Sequence, residues 1–293
     1  LPLTEEITFA PRYSIYQQKI TIPNTADRPY NDCGTNNVDC LNNGEATLAI
    51  KEAAGTRLTS LVGYSLSYNS LDNVKNPTAG LYSDVRQDFA GLGGDAKFLR
   101  TTSEVRYYYP LYDDIVGFAR IQGGNMFAWG GGQLRILDNF NLGPSLVRGF
   151  SPGGLGPRDI TNTSNLVGAG LGGTNFIGGT LEAQFPIFGL PKEIGLKGAV
   201  FTDAGTLFGY KGRTYYPELS SQGGWANGTC TAVANQQANC MIVRDSHQIR
   251  SSAGVSLLWA SPLGPIRFDF AKAITKDQYD QTQFFRFTGG SSF

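Results

Sequence analysis

Few residues in this chain could do covalent or acid–base chemistry, and their placement argues against most of it. His247 is the only histidine. A hydrolase would need it beside a serine or an aspartate, and a lone histidine opening a strand reads as structural. The four cysteines form two close pairs, Cys33 with Cys40 and Cys230 with Cys240, each in a polar Asn/Gly-rich stretch that reads as loop. Neither spacing is the short one of a structural zinc site, so two local disulfides are expected, with a four-cysteine metal site as the alternative. Disulfides would imply an oxidising compartment and about 2–3 kcal/mol of local order each. Asp and Arg recur along one side of several segments, which suits ion networks better than a catalytic carboxylate pair. Nothing reads as a phosphate loop. The expectation is no enzyme, no metal and no cofactor.

The elements that would position these charges are strands. The chain has 293 residues, 38 of them Gly, with aromatics at 12% and charged residues at 16%, against about 25% charged in an ordinary soluble domain. Lys+Arg and Asp+Glu are both 24, which lacks the basic surplus of a nucleic-acid partner. The longest apolar runs, such as Gly254–Ala260, fall far short of the about 18–20 residues of a spanning helix. A membrane-spanning β-barrel stays open, because its strands hide their hydrophobicity in alternation.

Period-two alternation predicts about ten strands, near 5–22, 56–70, 79–91, 96–110, 114–128, 174–187, 195–207, 246–260, 264–275 and 282–293. Ala46–Ala54 has helical character. Leu81, Val85 and Phe89 oppose Asp84, Arg86 and Asp88; Leu99, Val105, Tyr107 and Tyr109 oppose Arg100, Glu104 and Arg106; Ile266, Phe268 and Phe270 oppose Arg267 and Asp269. A soluble sandwich alternates too. Two features favour the membrane. Short turns (Asn76–Gly80, Pro110–Asp114, Pro186–Pro191, Ser261–Pro265) take turns with generally longer connections, the longest being 23–44, 129–173 and 208–245. Tyr64, Tyr68, Tyr82, Tyr107, Tyr109, Phe268, Phe270 and Phe293 also fall mostly near strand ends, as in an aromatic girdle. The fold expected is all-β, an antiparallel transmembrane β-barrel over 1–293, with 129–173 long enough to fold into its lumen. No basic-plus-apolar leader opens the chain, which reads as a piece of something longer.

Four stretches then resemble one family. Val147-Arg148-Gly149-Phe150 is similar to the signature of the BamA family, the central barrels of the outer-membrane β-barrel assembly machine. Phe201-Thr202-Asp203-Ala204-Gly205 resembles its Phe-x-Asp-x-Gly strand, Leu71–Gly80 its periplasmic turn, and Ser261–Phe293 its last hairpin with a terminal aromatic. The loop style is similar to alphaproteobacterial members. The resemblance implies periplasmic POTRA domains followed by sixteen strands. It places the ten strands here as the C-terminal part, with the POTRA domains and the N-terminal half of the lateral gate absent.

It also implies roles. The 129–173 loop would plug the lumen, with Arg148 pairing with Glu182 and Asp203. Strand parity agrees, since Glu182 and Gln184 oppose Leu181 and Phe185, and Asp203 opposes Thr202 and Ala204. Without the resemblance, Arg148 is a surface arginine worth about 0–1 kcal/mol; as a shielded fork on carboxylates, its loss would cost on the order of 3–5 kcal/mol. Phe285, Phe287 and Phe293, with Arg286 opposite, resemble a C-terminal recognition signal, and Gly289 and Gly290 would weaken that strand into a seam. The function implied is insertion of β-barrel proteins into the bacterial outer membrane by strand templating at the seam. The partners would be the outer-membrane lipid bilayer, nascent β-barrel proteins and, through the POTRA domains, accessory Bam lipoproteins. The alternative is a transport pore, either a porin or a two-partner secretion channel.

Overall fold

The computed structural model describes residues 1–22, 24–25, 28–29, 46–74, 76–161, 168–187, 189, 191, 194–217, 225–226, 229–230, 239–261 and 264–289. Ten strands follow one another in a single antiparallel sheet: β1 (Ile7–Ile20), β2 (Gly55–Asn69), β3 (Gly80–Gly94), β4 (Phe98–Tyr112), β5 (Ile115–Ala128), β6 (Asn175–Pro186), β7 (Leu196–Phe208), β8 (Arg250–Ser261), β9 (Gly264–Thr275) and β10 (Phe285–Gly289). No ladder joins β1 to β10 among the described residues. The helical character at 46–54 appears as α1 (Leu48–Glu52).

The connections sort by rim. By strand order the β2–β3, β4–β5, β6–β7 and β8–β9 junctions fall at one end of the strands, and the β1–β2, β3–β4, β5–β6, β7–β8 and β9–β10 junctions at the other. That is the short-turn and long-loop asymmetry of an outer-membrane barrel. On the long-loop rim two connections are exceptions, the three-residue link 95–97 and the nine-residue 276–284, the latter no longer than 187–195 on the opposite rim.

Polarity across the sheet is inverted relative to a soluble protein. Ile121 and Leu181 are 64% and 62% exposed on one face, whereas Glu182 and Asp203 are 5% and 1% exposed on the other. Val62, Leu66, Val105, Val200 and Val255 extend the exposed apolar face across most of the sheet. A soluble monomer rarely exposes a contiguous apolar patch beyond a few hundred Å². In hydrocarbon the same face is at home, because the antiparallel ladders satisfy the backbone within the sheet. Tyr64, Tyr107, Tyr109 and Tyr112 are exposed toward the short-turn rim, with the Tyr107 and Tyr109 rings stacked at 6.3 Å. These aromatics form the girdle on that side.

Candidate functional site

The 129–174 connection owes its shape to glycine and to its own apolar residues. Leu146 and Val147 both donate their N–H groups to the Gly143 carbonyl, at 3.0 and 2.9 Å. Leu146, Val147, Phe150 and Leu155 pack with Leu207 of β7 in a small buried cluster. Gly149 takes φ +90°, a conformation open to glycine, and a side chain there would press on Ala271 and Ser252 of the sheet wall. The turn brings Arg148 against the ionic face of β6–β9.

There Arg148 Nε and Nη2 donate to the two carboxylate oxygens of Asp203 at 2.7 Å each, and its own backbone N–H adds a bond of 2.9 Å to the same group. Nη1 donates to Glu182 at 2.7 Å. The guanidinium carbon lies over the Phe201 ring, 3.4 Å from its centroid. That ring has room because β8 carries Gly254, where a Cβ would fall 2.6 Å from it. Glu182 also receives two bonds from Arg267, at 2.6 and 3.2 Å, and Arg267 Nε donates to Asp269 at 2.7 Å. Ser256 sits between them, accepting from Arg267 at 2.8 Å and donating to Asp269. Arg120 of β5 closes the group on the other side, donating to the Ser145 carbonyl and to Thr180.

Sequence reading put Arg267 and Asp269 on the polar face of their strand but did not join them to Arg148. The signal was the Arg-x-Asp alternation of 267–269 beside that of 180–184. Which inward residue of β9 meets which of β6 depends on the lumen fold, and parity alone does not carry it.

Over the long-loop rim, the connections pack on one another. Leu48 and Ala49 of α1, Leu171, Tyr216 and Met241 form a buried cluster, and Thr47 donates to Asp159 at 2.5 Å. Tyr216 donates to Glu52 at 3.1 Å. Burial and the nearby Glu52 push the Tyr210 and Tyr216 phenols well above the usual tyrosine range. Residues 158–159 pair with 243–244 on one side and 169–170 on the other, tying the Arg148 loop to the 209–249 connection.

Cys230 and Cys240 are disulfide-bonded, Cα to Cα 5.8 Å. That pairing removes two of the four cysteines a metal site would need. Cys33 and Cys40, and likewise Gly290 and Phe293, lie outside the described residues. His247 packs its ring on Phe208 at 4.5 Å. Gly149-Phe-Ser-Pro-Gly153 has the Gly-x-Ser-x-Gly spacing of a hydrolase elbow. It sits in a loop rather than a strand-to-helix turn, and Ser151 faces the Gln281 backbone. In the last strand Phe285 and Phe287 point outward, packing on Phe270 and Phe268 of β9 at 5.2 and 5.4 Å, with Gly289 as its final residue.

A sheet greasy outside and ionic within, with a glycine-rich loop docked on the ionic side, defines a transmembrane β-barrel of the outer-membrane type. The Omp85 superfamily domain matches residues 1–293, and the chain belongs to that superfamily. It is 35% identical over 245 residues to the outer membrane protein assembly factor BamA of Neorickettsia risticii, covering 83% of this chain and 29% of that protein. The BamA of Neisseria meningitidis serogroup B is 27% identical over 230 residues, 77% of this chain and 28% of that protein. A sorting and assembly machinery component 50 homolog from Bos taurus is 31% identical over 168 residues, 55% of this chain and 34% of that protein. The chain thus spans under a third of the curated BamA relatives. Among solved structures, BamA from Haemophilus ducreyi lacking POTRA domains 1–3 superposes with a TM-score of 0.62 at 24% identity, covering 81% of this chain and 43% of that one. That likeness is one of fold. Family and relatives place the chain in the bacterial outer membrane.

Proposed function

We propose that this chain is the barrel portion of an assembly factor that inserts β-barrel proteins into the outer membrane, offering a weak seam at its last strand as template for incoming strands. One observation carries the reading. Among the described residues β9 and β10 pair over five residues, Ile266–Phe270 against Phe285–Gly289, whereas every other neighbouring pair in the sheet runs ten or more. A strand held by so short a ladder is easily exchanged, and an exposed edge invites a new strand. No covalent chemistry is needed. The work is to keep a client's N–H and C=O groups paired while it enters hydrocarbon.

In this reading 1–293 acts as one barrel domain, Arg148 anchors the 129–173 plug through Asp203 and Glu182, and Phe285, Phe287 and Phe293 form the recognition end. The partners are the lipid bilayer, nascent barrels and, through domains beyond this chain, accessory lipoproteins. The transport-pore alternative is not favoured, since the named relatives, bacterial and bovine alike, are assembly components by name. The test is a photoreactive phenylalanine analogue at Thr288 of the full-length protein in proteoliposomes, given a stalled client barrel. A covalent adduct to the client's terminal strand is expected. Efficient insertion with no adduct at Thr288 or at Arg286 would refute templating at this strand.

A further inference from the structure

The register of β9 with β10 predicts where the missing half of the last strand should lie. With Phe270 opposite Phe285, continuation of the ladder would set Thr282 opposite Ala273 and Asp280 opposite Thr275. The Ala271 N–H still reaches the Phe284 carbonyl at 2.9 Å, and there the ladder stops. Residues 280–283 turn inward and pair with the plug loop instead. Thr282 bridges Phe150, Ser151 donates to the Gln281 carbonyl at 3.0 Å, Gln281 to Gly154 at 2.8 Å, and Gln283 to Gly149 at 3.0 Å. The outer edge of β9 from Ala273 to Thr275 has no strand beside it among the described residues.

A second contact fixes the diversion. Arg250, at the start of β8, donates through Nε to Asp280 at 2.9 Å and through Nη2 at 3.4 Å, and both side chains are 1% exposed. Asp280 also accepts the Asp277 N–H at 2.7 Å, and Arg250 Nη1 holds the Ser246 and Gln248 carbonyls at 3.0 and 2.9 Å. The alternation of β10, in which Phe285 and Phe287 face out and Arg286 faces in, would keep Asp280 on the inner face in either path, so lipid does not force the diversion; what holds it is the buried pair with Arg250 itself. A buried charge cannot be parted cheaply from its counter-ion, so the pair selects the inward path.

We propose that Arg250 and Asp280 are positioning residues that draw 280–283 out of the sheet, keeping β10 short and the Ala273–Thr275 edge of β9 open to an incoming strand. The inference rests on the assembly reading for its purpose, but its geometry can be tested without a client. Ala273→Cys and Thr282→Cys, the last pair before the β-bulge at Ile274 and brought face to face only if the ladder continues, are placed in the full-length protein and oxidised. No crosslink is expected in the parent. In an Arg250→Met/Asp280→Leu background, which removes both charges and leaves none stranded, the crosslink forms and client insertion falls by roughly fivefold or more, the lower range for coupling between distinct sites. The swapped pair Arg250→Asp/Asp280→Arg restores both readouts, which a role in bulk stability alone would not predict. If the double variant does not fold, Asp280→Asn, which keeps the shape and loses the charge, carries the same comparison. Absence of the crosslink in a folded, heat-modifiable variant overturns the proposal, and so does a crosslink with undiminished insertion. A parent inactive in insertion sinks the assembly reading instead, while the crosslink still decides whether this pair diverts the strand.

Discussion

Replacing Arg148 by alanine removes three hydrogen bonds to Asp203 and Glu182 from the side chain and the cation over Phe201, leaving only the backbone bond to Asp203. The two acids do not suffer alike. Glu182 keeps both bonds from Arg267, whereas every side-chain bond to Asp203 comes from Arg148. The stranded charge is therefore that of Asp203, 1% exposed, and breaking such a pair costs on the order of 3–5 kcal/mol. At about 1.4 kcal/mol per factor of ten, the undocked loop should rise in population by about a hundred- to several-thousand-fold. Limited proteolysis of the folded protein in detergent reads this as new cleavage within 129–173 while the strands stay intact. Arg148→Lys should fall between, since one ammonium cannot grip both oxygens of Asp203 and reach Glu182. Adding Asp203→Asn to Arg148→Ala should recover much of the loss by removing the stranded charge. An unchanged digestion pattern in Arg148→Ala, or a double variant no better than the single, would refute the reasoning.

Two further perturbations act outside the spanning strands. Reducing Cys230–Cys240 should loosen its loop by about 2–3 kcal/mol, seen as faster cleavage in 209–249 with thermal unfolding of the sheet unmoved; equal cleavage with and without reductant would argue that the bond adds no order. Asp72, in the 70–79 turn, accepts from the Thr78 hydroxyl, from the N–H of Thr78 at 2.9 Å and from that of Ala79 at 3.1 Å, which lower its pKa from 3.8 to about 2. Because the folded value is the depressed one, the turn keeps this stabilisation above about pH 4 and loses it as pH falls through about 2. Amide exchange of Thr78 and Ala79 should show that acid limb, and Asp72→Asn should flatten it; a limb that survives the substitution belongs to another group.

Most of the architecture was legible because a barrel wall is written locally. Every predicted strand is present, since side-chain parity needs only neighbours along the chain. The departures come where distant groups intervene. The last strand was expected from 282 and begins at Phe285, because Thr282 and Gln281 are taken by the plug loop. The eighth was expected from 246 and begins at Arg250, whose guanidinium folds the preceding carbonyls of Ser246 and Gln248 onto itself. Parity likewise assigned Arg267 and Asp269 to the inner face but could not name their partners. Nor could it foresee the cluster of Leu48, Leu171, Tyr216 and Met241, whose members lie on three separate connections.

The low charge content and the ionic interior are two sides of one constraint. On the face that meets hydrocarbon a charge costs about 2–4 kcal/mol near the midplane, so the spanning strands send their charges inward. Those charges then have to be neutralised, and Arg148 from the loop supplies what the wall lacks. Arg267 pairs with Glu182 and Asp269, and Arg120 bonds Thr180 and the Ser145 carbonyl; Arg148 inserts among Glu182, Asp203 and Asp269, 3.7 Å from the last, and gives Asp203 its side-chain bonds. A loop held this way differs from one held by grease. An apolar plug stays costly to expose whether or not water follows it, whereas the penalty for parting Arg148 from Asp203 falls once water reaches both. The small cluster of Leu146, Val147, Phe150 and Leu155 packs on Leu207 and on Phe176 and Ala273 of the wall, so grease and charge hold the loop at the same place. The same loop pairs through its backbone with 281–283 ahead of β10, so the charged anchor at Arg148 and the last strand share one hydrogen-bonded segment.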